Sequence, residues 1–153
     1  MNIDIKYLQK RHKTKGKNIF LLLMFLTFNS YSQIFISNNQ EQILEILNSS
    51  NLQKEIKITQ NNDEAFKIIL VTYKDIDVTI GCSIDYNGIC FKQVFATTNM
   101  QLYSNMIENL NTDFVISGAN KWHLYKGTTR INIFTKSSGD IWFITYYNPS
   151  YYK

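Results

Sequence analysis

Between residues 76 and 84 the sequence IDVTIGCSI alternates without a break. Ile76, Val78, Ile80, Cys82 and Ile84 fall on one side of an extended chain, and Asp77, Thr79, Gly81 and Ser83 on the other. A period of two is the mark of a strand with one buried face. AFKIILVTY, residues 65–73, is β-branched and aromatic and predicts a strand before it, with Lys74-Asp75 as a tight turn. DYNG turns the chain again, and ICFKQVFATT supplies the partner strand. Later, KWHLYKG (121–127), RINIFTK (130–136) and DIWFITYY (140–147) predict three more strands, the last two joined through Ser137–Asp140. KEIKI (54–58) and DFVIS (113–117) are shorter candidates for extended segments.

Two stretches carry a period of three to four instead. Ile43, Leu44 and Leu47, with Ile46 beside them, predict a helix over about 39–49. Ser37 with Gln40, or Asn38 with Glu41, has the spacing of a capping pair, and Asn48-Ser49-Ser50-Asn51 ends the helix. Met100, Tyr103, Met106, Ile107 and Leu110 predict a second helix, opened by Thr98 with Gln101 and closed at Asn111-Thr112. Such a stripe reads as a core face rather than a cofactor site.

The predicted order is therefore α-β-β-β-α-β-β-β. Hairpin-length connections imply an α+β domain, a mostly antiparallel sheet with two helices packed on one face. The halves share a layout, seen in DVTIGCSIDYNGICFKQVF and RINIFTKSSGDIWFITYY. Duplication of an α-β-β-β unit accounts for this, and so does the resemblance of any two hairpins in a chain this rich in Ile, Phe and Tyr.

The N-terminus stands apart. Lys6, Lys10, Arg11, Lys13, Lys15 and Lys17 precede the uncharged run IFLLLMFLTF (19–28), and Ser30 and Ser32 follow at small-x-small spacing. That pattern predicts a secretory signal peptide over residues 1–32 and a single exported domain over 33–153, periplasmic or secreted. The run is half the length of about 20 residues that a stable transmembrane span needs. The leader also changes the charge. The chain has 16 Lys+Arg and 12 Asp+Glu, a net +4. Removing six basic residues and one acid leaves 10 and 11, a net −1. The apparent basicity belongs to the leader and is no argument for nucleic acid.

Candidate chemistry is sparse. His123 is the one histidine after the leader, and it lies in a predicted strand. It is either a half-exposed structural residue or, paired with a nearby carboxylate, the base of a hydrolase. No G-x-S-x-G, H-E-x-x-H, paired C-x-x-C, G-x-G-x-x-G or P-loop occurs, so neither a cofactor nor a metal is expected. Asp63-Glu64, Asp75, Asp77, Asp113 and Asp140 mostly fall at turns.

Aromatic residues crowd the final third. In IWFITYY both alternating sets are bulky: Ile141, Phe143 and Tyr147 against Trp142, Ile144 and Tyr146. Either helices cover one set while a loop or the tail NPSYYK covers the other, or one set is an exposed contact strip. The second reading makes Trp122, Tyr125, Trp142, Tyr146 and Tyr147 the candidate binding residues. Their partner would be a protein or a cell-envelope component, and the domain would be a non-catalytic binding module. A hydrolase using His123, and a protective partner of a secreted toxin, are the alternatives.

Cys82 and Cys90, the only cysteines, flank the turn. An even count in an exported protein invites a disulfide. A two-residue turn at Asn87-Gly88 would pair Cys82 with Gln93 and Ile80 with Phe95, point Cys90 away and forbid the bridge. A bulged turn over Tyr86-Asn87 would bring both cysteines to one face. The match of apolar positions favours the first register.

Overall fold

A computed structural model describes residues 34–49, 51–60 and 66–151. The predicted signal peptide lies outside the described residues. Two helices, α1 (Gln40–Ser49) and α2 (Met100–Asp113), accompany eight strands: β1 (Glu55–Gln60), β2 (Lys67–Tyr73), β3 (Val78–Ile84), β4 (Cys90–Thr97), β5 (Val115–Gly118), β6 (Lys121–Lys126), β7 (Thr129–Ser138) and β8 (Ile141–Tyr147). The strands form one antiparallel sheet in the order β1-β2-β3-β4-β8-β7-β6-β5. The domain is α+β, but each helix is followed by four strands rather than the three expected. The additional ones, β1 and β5, are the two edges of the sheet. They bury little, so neither carries the clean alternation that marks β3.

Local chemistry sets the helix ends. Asn39 and Gln42 form a reciprocal capping box: Asn39 N–H donates to Gln42 Oε1 at 2.9 Å and Gln42 N–H to Asn39 Oδ1 at 2.8 Å. This pair starts α1, in place of the Ser37 and Asn38 pairs predicted. At α2 the cap is Asn99, whose side chain accepts from Leu102 N–H at 3.1 Å. Thr98 does not serve, because its hydroxyl is taken by the Asp77 carboxylate.

The core lies on one side of the sheet. Ile69, Val71, Ile80, Cys82, Ile84, Ile131, Ile133 and Ile144 point there and are buried. Helix α2 covers part of this side. Asn111 on α2 accepts from Trp122 Nε1–H at 2.9 Å, and Tyr103 on α2 stacks on Trp142 with ring centroids 5.9 Å apart. The segment leading into α1 is tied to the same side. Ile34, Phe35 and Ile36 are buried, and Phe35 N–H donates to Gln93 Oε1 at 2.8 Å. Lys126 reaches in from β6 and donates to Ile34 O (3.1 Å), Ile36 O (3.0 Å) and Asn38 Oδ1. Desolvation lowers the Lys126 pKa from its ordinary value, and these three acceptors provide the partners that a partly buried ammonium requires.

The β3–β4 turn combines features of both predicted registers. Gly88, at φ 80°, follows a turn over Tyr86-Asn87, and Asp85 N–H donates to Ile89 O, which is the bulged form. A second irregularity follows, so that Ile84 faces Cys90 while Cys82 faces Gln93 and Ile80 faces Phe95. The expected pairing of Cys82 and Ile80 is therefore present, but Cys90 does not point away. It is buried on the same side as Cys82, and both are free thiols. A hydrogen bond between the two thiols, with burial, pushes the Cys82 pKa well up.

The turn is held by Asp85. Its Oδ1 accepts from Asn87 N–H (2.9 Å) and Ile89 N–H (2.8 Å). Its Oδ2 accepts from the Tyr151 hydroxyl at 2.7 Å, and Tyr151 stacks on Phe91 with centroids 5.1 Å apart. The tail from Pro149 to Tyr151 thus docks back on the domain.

Candidate interaction surface

Strand alternation sends three of the five candidate aromatic residues to one side of the sheet and two to the other. Trp122 and Tyr146 are buried on the helix side, and Trp142 is half-buried there beneath Tyr103. Burial holds the Tyr146 hydroxyl proton far more tightly than in water. These three residues pack the core. Tyr125 and Tyr147 face the other way. Tyr125 is exposed; Tyr147 accepts from Asn132 Nδ2 at 3.3 Å and meets Phe134 edge to face at 5.8 Å. The five residues therefore do not form one surface.

The strand register defines the open face. Lys121, Phe134, Thr145, Val94, Gly81, Leu70 and Lys57 lie opposite one another in turn, one from each of seven neighbouring strands. Phe134, Val94 and Leu70 make the middle of this row apolar, interrupted by Gly81 and by Thr145, which is buried, and lysines stand at both ends. A parallel row on the same face runs Lys136, Phe143, Ala96, Thr79, Thr72 and Glu55. On the other flank run His123, Asn132, Tyr147, Lys92, Ser83 and Ile68. Arg130 and Tyr125 pair beyond them. Leu70 and Ile141 are exposed, and Val94, Phe134 and Phe143 are half-buried among their neighbours.

Charge divides with the faces. The open-face strand positions carry Lys57, Lys92, Lys121, Arg130 and Lys136 against one carboxylate, Glu55. Glu55 is itself held by Lys57 at 3.5 Å and Lys74 at 3.4 Å, and the Lys74 contact chiefly lowers its pKa. The helices carry Glu41, Glu45, Glu108 and Asp113 and no Lys or Arg.

His123 also faces the open side. Its ring meets Tyr125 edge to face at 6.1 Å, and its cross-strand neighbours are Val115 and Asn132, neither of them a carboxylate. Its Nδ1 is buried without a hydrogen-bond partner among the described residues. Among those residues no three His, Cys, Asp or Glu side chains gather where a metal ion could be held, and no helix is long and apolar enough to cross a membrane.

The open-face residues outside the aromatic candidates are Phe134, Phe143, Val94, Leu70 and the cations around them. The alternation of IWFITYY already separates Phe143 and Tyr147 from Trp142 and Tyr146. Placing Phe134, Val94 and Leu70 beside them takes the register across seven strands. No family model, curated protein or solved structure matches the chain.

Proposed function

We propose that the domain is a non-catalytic binding module, exported behind its basic and apolar leader, that engages a protein or cell-envelope component through its open sheet face. The observation that carries this reading is the row in which Phe134, Val94 and Leu70 stand around buried Thr145 and Gly81, framed by Lys121 and Lys57, on the side opposite α2. An apolar centre with a charged rim is the anatomy of a protein contact surface, and Tyr and Phe offer contact area there at little entropic cost. A protective partner of a secreted toxin would use the surface in the same way. The test compares capture from envelope extract by the immobilised wild-type domain and by Tyr125→Ala and Phe143→Ala. Both variants are expected to retain the fold and lose most of the captured material. Undiminished capture by both would remove the reading.

A further inference from the structure

We infer that the occupant of the open face is an acidic amphipathic helix of a partner protein, lying across the strands along the row from Lys121 to Lys57. The inference rests on the binding reading above and names its partner.

Length comes first. Neighbouring strands lie about 4.8 Å apart, so the six intervals of this row span about 29 Å, the length of a helix of about 19 residues. The row's flanks are polar at Asn132, Lys92 and Ser83 on one side and at Lys136, Thr79 and Thr72 on the other, while Phe143, Ala96 and Tyr147 widen the apolar ground around β8. A single apolar helical stripe matches that width. A sheet laid face to face would bury those polar flanks. Gly81 at the centre adds no side chain, so the row dips between Val94 and Leu70.

Charge then chooses the partner. Lysines close both ends of the row, Lys92 and Lys136 stand beside it, and Arg130 lies one row further out. A helix with carboxylates flanking its apolar stripe meets a cation along most of its length. A second copy offering the same face brings like charges together. The chain's own leader, with six basic residues, has the same sign as the frame. The acidic helices α1 and α2 turn Ile43, Leu47, Leu102 and Leu110 inward, so they have no free apolar stripe to offer another copy.

The experiment titrates the folded domain with a synthetic peptide of about 20 residues, with leucines at helical spacing and glutamates elsewhere. A lysine-for-glutamate version and vesicles of phosphatidylglycerol and phosphatidylcholine serve as the other arms. The glutamate peptide is expected to bind and become helical, to weaken as salt rises, and to bind about tenfold more weakly to the Lys57→Glu, Lys121→Glu double variant. Both lysines are exposed, so that variant should melt at the wild-type temperature. Phe134→Ser supplies a second arm and should abolish binding. Equal binding of the lysine peptide, indifference to the double variant, or preference for the vesicles would overturn the inference. If Tyr125→Ala and Phe143→Ala lose extract capture while the glutamate peptide fails to bind, the helical partner is wrong and the binding face stands.

Discussion

Trp122 and Tyr125 stand three residues apart on β6, yet one is 4% exposed and the other 61%. Both are large aromatics in the same short strand, and alternation alone sends them to opposite sides. On Trp122's side the surroundings are mostly aliphatic and aromatic, covered in part by α2, and the one strand cation turned inward beside it on β6, Lys126, is held by three oxygen acceptors. On Tyr125's side they are mixed aromatic and cationic. The same strand therefore contributes stability through one face and a contact surface through the other. Composition cannot distinguish these roles; register can.

The largest test of this contrast is truncation on each face. Trp122→Ala should lose about 3–5 kcal/mol, because it removes a buried aromatic and the bond to Asn111. Tyr125→Ala should stay within about 1 kcal/mol of wild type in the same urea titration. Comparable losses from both would show that the open face is covered in solution. A smaller effect comes from Tyr151, where the tail joins the β3–β4 turn. Its hydrogen bond to Asp85 and partial burial push the tyrosine pKa up to about 12 from 10.0. A raised pKa means the neutral form is favoured in the fold. Its stabilisation is thus whole below about pH 10 and is lost as the pH climbs toward 12. Melting curves across that window should converge for wild type and Tyr151→Phe, with wild type ahead at neutral pH. The smallest effect is on the thiols, where a rate changes and no stability is lost. Cys82 and Cys90 are both buried and Cys82 is held protonated, so the native protein should react slowly with a thiol reagent at pH 8. Two thiols should react promptly in denaturant. A count of zero would show that the bulged turn allows a disulfide.

Much of the fold was readable along the chain. The alternation of residues 76–84 placed β3, the 3–4 spacing from Met100 to Leu110 placed α2, and β6 to β8 followed from their bulky aromatic and aliphatic residues between turn signals. What escaped were features set by more than one segment. The α2 cap moved from Thr98 to Asn99 because Asp77, distant in sequence, claims the Thr98 hydroxyl, whereas the α1 box shifted only locally, to Asn39 with Gln42. The edge strands β1 and β5 fall on KEIKI and DFVIS, which the sequence marks as short extended segments but which bury too little to be counted among the strands of the predicted order. Cys90 was misdirected because a second bulge, unmarked by any glycine, follows the one at Gly88. The open face was half visible. IWFITYY separated its own two sides, but the row from Lys121 to Lys57 exists only once seven strands are aligned.

The strand order also determines when the molecule becomes complete. Six of the seven strand pairings join consecutive strands and can zip locally, but β4 pairs with β8, the last of the eight described strands in chain order. From the emergence of Thr97 to that of Tyr147 roughly 50 residues must be added, which takes roughly 3 to 10 s at ordinary rates of synthesis. Throughout that interval β4 presents an unpaired edge. Strand β8 thus closes the seam between the two four-stranded halves, and the exposure of the β4 edge ends only when β8 arrives.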